Sequence, residues 1–97
     1  MGKIDFPGIN SRALPMLPSI VRRWLPGGRW QGTEWVALNP RRVDRHFGSF
    51  RVNLRSGKWA DFATGDRGGD IVSLAAYLAG CSQIEAARRL AEMLGVR

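Results

Sequence analysis

The sequence predicts an α+β fold, a small antiparallel β-sheet with an N-terminal helix and a C-terminal helical pair. Three observations lead to this prediction. Runs rich in β-branched and aromatic residues fill the middle of the chain, a glycine-rich turn follows them, and the last third has apolar residues at helical spacing. The length of 97 residues allows one modest core, so we expect a single folded domain after an irregular N-terminal arm.

The irregular arm is assigned to residues 1–18 because prolines are dense there and interrupt a helical pattern before it can propagate. They are Pro7, Pro15 and Pro18. A short helix is predicted from Ser19, a good N-cap residue, to Leu25, where a Pro-Gly-Gly sequence ends it. Residues 19–97 then form the domain.

Three β-like runs follow the predicted helix. They span residues 29–38, 49–55 and 58–63. Ser56 and Gly57 separate the last two runs and have the length of a two-residue hairpin turn, which places Val52 opposite Asp61. One face of this hairpin is apolar and carries Phe50, Val52, Leu54 and Trp59. The other face is basic and carries Arg51, Asn53, Arg55, Lys58 and Phe62.

After the glycine-rich turn at residues 65–69, the remaining chain predicts two helices. We expect Asp70 to cap the first helix and Gly80 to end it. Residues 82–85 have the pattern of a capping box for the second helix, which Gly95 ends. The apolar residues of the second helix are expected to face the core. They are Ile84, Ala87, Leu90, Ala91 and Leu94.

Positive charge is concentrated in the middle of the chain. The net charge is +7, and residues 22–67 contain ten basic and four acidic residues. Such a field attracts polyanions, so nucleic acid is the leading partner, with an acidic protein or a membrane surface as alternatives and solubility as the simplest explanation. Aromatic residues are interleaved with these basic residues, as expected of a single-strand-binding surface where exposed rings stack on nucleobases. The alternative is that the tryptophans belong to the core of so small a domain.

The sequence contains no constellation typical of catalysis or of metal binding. His46 and Cys81 are the only histidine and cysteine, too few for a zinc site. No histidine stands near Cys81 in the sequence, so Cys81 is expected to be a small buried residue and not a nucleophile. The glycine-rich turn lacks the Lys-Ser/Thr pair of a phosphate loop. We therefore expect no enzyme activity, no metal and no cofactor. Without an apolar signal or membrane-spanning run, and with one cysteine, a cytoplasmic protein without a membrane partner is expected.

Short motifs follow one another through the chain, at residues 34–40, 48–52, 58–62, 68–74 and 81–87. Their arrangement resembles the zinc-ribbon domain that opens bacterial, phage and plasmid DNA primases, over roughly residues 19–95. The resemblance implies a domain that contacts template single strand and steers it, or its partner enzyme, during primer synthesis. It implies no polymerising activity, because that site lies in a separate domain for which this chain has no length.

In this resemblance, the four zinc-ligand positions fall on Asn39, Arg42, Asp61 and Thr64. None of them is a cysteine or histidine, so the resemblance implies a zinc ribbon without zinc. We hypothesise that these four residues form a hydrogen-bonded cluster in which Arg42 and Asp61 are a charge-assisted pair. The alternative is four solvated loop residues.

The predicted function is a non-catalytic module that binds single-stranded DNA, as an accessory to a primase, polymerase or helicase of a mobile element or phage. The predicted DNA contacts are Arg41, Arg42, Arg51, Arg55 and Lys58, with Phe62 as a stacking ring. The alternative is a protein adaptor whose exposed Trp and Leu residues dock on a replication enzyme without direct DNA binding. A free-standing enzyme is ranked last.

Overall fold

The sheet is an antiparallel meander in which each strand pairs with its neighbour in the chain. The structure is a computed structural model that describes residues 3–45 and 47–95. Over these residues the five strands are β1 (Arg29–Gln31), β2 (Glu34–Ala37), β3 (Phe50–Asn53), β4 (Trp59–Asp61) and β5 (Arg67–Gly68), in that spatial order. The helices are α1 (Phe6–Ala13), α2 (Leu17–Trp24), α3 (Ile71–Ala79) and α4 (Gln83–Leu94). The predicted α+β class is confirmed.

The predicted irregular arm at residues 1–18 is wrong, because most of this segment is helical. Each of its prolines is the second residue of a helical segment: α1, a 3₁₀ turn at Leu14–Met16, and α2. Proline is tolerated there because first-turn N–H groups have no acceptor within the helix. Asp5 caps α1 by accepting a hydrogen bond from the Gly8 N–H at 3.0 Å. The prolines therefore start helical segments instead of preventing them.

This N-terminal segment belongs to the core. Ile9, Ala13 and Leu17 are buried, and α1 contacts both C-terminal helices. The Asn10 side chain accepts a hydrogen bond from the Val72 N–H at 3.0 Å, which ties α1 to the start of α3. Helix α2 begins at Leu17, two residues before the predicted cap. Burial of apolar side chains at helical spacing therefore stabilises these short helical segments.

Two predicted β segments differ in the structure. The first β-like run is a hairpin and not one strand, because Gly32, with φ +60°, turns the chain between β1 and β2. The hairpin between β3 and β4 is wider than predicted. Val52 lies opposite Trp59, and Phe50 lies opposite Asp61, a shift of two residues. The Asn53 side chain stabilises the wider turn, since its Oδ1 accepts hydrogen bonds from the N–H groups of Arg55 and Ser56.

A shift of two residues preserves the faces of the sheet, because side chains alternate with a period of two. The inner face carries Trp35, Ala37, Phe50, Val52 and Trp59, which are buried in the hydrophobic core with residues of the helices. The indole N–H of Trp35 donates to the Leu25 carbonyl, and that of Trp59 donates to Ser73. The opposite face, the outer face, is the basic one that the sequence predicts.

The predicted helix caps at the C-terminal pair are confirmed. Asp70 accepts a hydrogen bond from the Ser73 N–H, and Ser82 accepts one from the Glu85 N–H. Gly80 and Gly95 end α3 and α4 in the left-handed conformation that favours glycine. Ile84, which was predicted to face the core, is instead 50% exposed because it lies in the first turn of α4 outside the packed face.

Candidate nucleic-acid interface

The register of the sheet places three arginines in one line across the outer face. Arg29 lies opposite Val36, which lies opposite Arg51. Ala60 connects Arg51 to Arg67 in the same way. Neighbouring strands in a sheet are about 4.8 Å apart, so the backbones of arginines on alternate strands are about 10 Å apart. We call this line of five residues the arginine row; it consists of Arg29, Val36, Arg51, Ala60 and Arg67.

Arg51, at the centre of the row, is held by two partners. Its Nε donates to the Gly48 carbonyl at 2.8 Å, and its Nη1 forms an ion pair with Glu34 Oε1 at 3.2 Å. These side chains keep 27% and 34% of their surface exposed. An ion pair at such a site contributes only about 0–1 kcal/mol, so a phosphate can compete for this guanidinium.

The two outer arginines of the row are exposed. The Arg29 guanidinium carbon lies 4.7 Å from the centre of the Phe47 ring, a cation–π contact that orients the side chain and leaves it charged. Arg67 stands on the edge strand β5. Among the described residues, no carboxylate forms an ion pair with Arg29 or Arg67. Both guanidinium groups are available to a polyanion.

Lys58 and Phe62 flank the row on either side of Ala60. The Phe62 N–H donates to the Ser49 carbonyl at 2.8 Å, which continues the ladder beyond β4 and keeps the alternation of faces. Phe62 is 73% exposed, so its ring is accessible on the outer face. A shallow groove of about 630 Å³ joins these side chains to the row. Arg51, Lys58, Phe62 and Arg67 line it.

The structure brings together only part of the predicted DNA-binding set. Arg51, Lys58 and Phe62 share the outer groove. Arg55 is exposed in the loop between β3 and β4, at one end of the sheet. Arg41 lies elsewhere, with its guanidinium against Gly80 at the C-terminal end of α3, so close that a Cβ at Gly80 would be 3.0 Å from Nη1. A cation there interacts favourably with the helix dipole.

Arg29 and Arg67 belong to the outer face but were not among the predicted contacts. The signal that could find them is the strand register, because it aligns them with Arg51. The predicted register paired Arg51 with Phe62 and contained no fifth strand. Strand β5 is only two residues long and lies within the glycine-rich segment 65–69, so the sequence pattern indicated a turn there and not a strand.

Arg42 is engaged in a buried polar cluster centred on Asp61, which is 0% exposed. Its Nε donates to Asp61 Oδ2 at 2.8 Å, and its Nη2 to Oδ1 at 3.3 Å. Asn39 Nδ2 donates to Oδ2 at 2.8 Å, and the Ala63 N–H donates to Oδ1 at 2.9 Å. The hypothesised charge-assisted pair and its bond to Asn39 are therefore present. Arg42 belongs to the interior network and is not part of the arginine row.

The cluster extends from the sheet to α3. Asn39, only 1% exposed, also donates to Tyr77 Oη at 2.8 Å, and Tyr77 donates to Asp66 Oδ2 at 2.8 Å. Arg42 also contacts Asp44 and Ser49. Within the described chain, no buried side-chain nitrogen or oxygen lacks a hydrogen-bond partner. The network is thus fully satisfied, the condition under which buried polar groups specify one arrangement.

Thr64, the fourth hypothesised member, lies outside the buried part of the cluster. Its side chain is exposed, and its Oγ1 accepts a hydrogen bond from the Asp66 N–H at 3.2 Å. Its own N–H donates to the Asp61 carbonyl at 3.3 Å. Thr64 therefore shapes the turn after β4, as a solvated loop residue.

The cluster controls the ionisation of its members. Burial alone would raise the pKa of Asp61, but the hydrogen bonds from Arg42, Asn39 and the Ala63 N–H lower it from 3.8 to about 2. The hydrogen bond to Asp61 raises the pKa of Arg42. Burial raises the pKa of Tyr77, and the neighbouring carboxylate of Asp66 adds to this. At neutral pH the Arg42–Asp61 pair is charged and Tyr77 is neutral.

These residues do not fit a zinc ion. Zinc binds thiolate, imidazole and carboxylate groups, whereas this cluster offers an amide and a guanidinium around one carboxylate that is already saturated. His46, the single histidine, lies outside the described residues. Over the residues that are described, no group of three His, Cys, Asp or Glu side chains could hold a metal ion.

In the described part of the chain, no helix combines the length and the apolar character needed to cross a membrane. Neither a scan against protein-family models nor a search of curated proteins finds a match to this sequence.

Proposed function

We propose that this chain is a non-catalytic module that binds single-stranded DNA on the outer face of its sheet. The arginine row, with exposed Phe62 beside it, is the observation that carries the proposal. Guanidinium groups bind phosphates through charge and paired hydrogen bonds, and an exposed ring can stack on a base. The excess of positive charge within residues 22–67 adds a field that attracts a polyanion to this surface.

A single strand suits this surface better than a duplex. The bases of a duplex are already stacked and paired, so Phe62 cannot stack on one without the cost of unpairing it. The shallow groove along the row is open and can hold an extended backbone. We further propose that the module is a cytoplasmic accessory to a primase, polymerase or helicase of a mobile element or phage, on the basis of the resemblance to primase zinc ribbons.

Affinity for single-stranded DNA is expected to depend strongly on salt. If Lys58 and the three arginines of the row each neutralise one phosphate, affinity should fall about 50-fold between 50 and 200 mM salt, because the slope is about −0.7 per contact on a logarithmic scale. Fluorescence anisotropy of a labelled oligothymidine, titrated with the protein across a salt series, measures this slope.

The same oligonucleotide annealed to its complement is the control for strand preference. Tighter binding of the single strand supports the proposal. Absence of binding at low salt, equal binding of the duplex, or an affinity that salt does not change would contradict it, the last because phosphate contacts necessarily release counterions.

A further inference from the structure

A second candidate surface lies among the helices, apart from the arginine row. It is an apolar groove of about 480 Å³ between the end of α2 and the pair α3 and α4. Its walls include Trp24, Leu78, Leu90 and Met93. Met93 is 37% exposed, so the groove is open to a partner along α4. An open apolar groove between helices is a common receptor for the apolar face of another helix.

Two arginines lie at this groove, one in its wall and one beside it. Arg89 lines the groove. The Arg41 guanidinium lies against Gly80, and the residues before and after Gly80 in the chain, Ala79 and Cys81, also line the groove. Arg89 forms an ion pair with Glu85 at 3.1 Å, but both side chains are largely exposed, at 64% and 47%. A pair this exposed contributes about 0–1 kcal/mol, so the carboxylate of a partner can replace Glu85 at little cost. Among the residues that line the groove, none is acidic.

We propose that this groove binds an amphipathic, acidic helical segment of a partner protein. Apolar side chains of the segment enter between Trp24, Leu78 and Met93, and its acidic side chains meet Arg41 and Arg89. The positive groove selects an acidic segment over a basic one by charge complementarity. This inference does not depend on DNA binding, because the two surfaces share no described residue. A chain with both surfaces could hold a protein partner and a polyanion together.

The test uses two labelled peptides of equal length, in which leucines recur at helical spacing and the remaining positions carry mainly glutamate or mainly lysine. Fluorescence anisotropy with the full chain at low salt measures both affinities. The glutamate peptide should bind at least roughly tenfold more tightly than the lysine peptide. Equal affinities, or no binding of the glutamate peptide, would overturn the proposal.

A substitution inside the groove locates the binding site. Ala79 is exposed and lines the groove, so Ala79→Glu adds a carboxylate there without disturbing the core. The position precedes Gly80, against which Arg41 lies. It should weaken binding of the glutamate peptide roughly tenfold or more. Gln83→Glu is the matched control, because it changes the net charge equally at an exposed position outside the groove.

Circular dichroism of both variants establishes that they are folded. Both should also bind single-stranded DNA as the wild type does, which separates this surface from the arginine row. If the two variants bind the glutamate peptide equally well, the groove is not the site.

Discussion

Replacing Asp61 by alanine is expected to destabilise the domain by about 3 kcal/mol. Removing one partner of a buried ion pair leaves the other groups without their hydrogen bonds, which costs about 3–5 kcal/mol. The lower end applies here because Arg42 keeps 28% of its side chain exposed and can recover some hydration, whereas Asn39 is buried. Urea unfolding at neutral pH, followed by circular dichroism, measures the change in the free energy of unfolding.

Glu85→Ala is the control for this substitution, since it removes the exposed ion pair with Arg89 and should cost no more than about 1 kcal/mol. A loss for Asp61→Ala within that same range would mean that the polar cluster does not stabilise the fold.

The stability due to Asp61 should also depend on pH. Its pKa is lowered by folding from 3.8 to about 2, so the native state binds fewer protons than the unfolded state across this interval. The ionised Asp61 side chain therefore contributes about 2 kcal/mol to the free energy of unfolding. This contribution is fully present above the pKa of Asp61 in the unfolded state and is lost as the pH falls through its pKa in the folded state. The gap in unfolding free energy between wild type and Asp61→Asn should therefore narrow between pH 5 and pH 2 by about this amount.

Reversing the charge at Arg29 and Arg67 together should weaken single-stranded DNA binding on the order of 100-fold at low salt, because two phosphate contacts become repulsive. Both side chains are exposed, so the variant should fold. Arg51 is left unchanged because it also holds Gly48 and Glu34. Anisotropy with labelled oligothymidine measures the loss, and the salt slope should fall as well.

Arg12→Glu with Arg88→Glu is the matched control for the arginine row. Both residues are exposed on helices. Each Arg→Glu substitution lowers the net charge by two, so both double variants have a net charge of +3 instead of +7. The control should lose much less affinity than the row variant. Equal losses would mean that binding follows net charge alone and that the row is not the site.

The parts of the fold that were predicted correctly rest on local chemistry. Asp70 and Ser82 cap helices through bonds to N–H groups three residues away, and Gly80 and Gly95 end them, so short sequence windows contain the whole interaction. Helix α1 was missed because it is stabilised by packing against α3 and α4, and no local sequence window contains those contacts. The prolines of residues 1–18 were taken as interruptions although each stands where a helix tolerates proline.

The buried polar cluster and the arginine row depend on distant residues to different extents. The Arg42–Asp61 pair could be predicted because the resemblance aligned those positions, whereas Tyr77 entered the cluster only through the packing of α3. The arginine row could not be predicted, because a register error of two residues keeps every side chain on its face but changes all of its neighbours. Predicting the face was therefore easier than predicting the row.

The most direct test of DNA binding at the outer face is amide mapping by NMR, with the ¹⁵N-labelled full chain titrated with oligothymidine at low salt. We expect the largest shift changes along the arginine row and at Lys58 and Phe62, with small changes in α3 and α4. Absence of shift changes, or changes confined to the helices, would contradict the proposal that the outer face of the sheet binds single-stranded DNA.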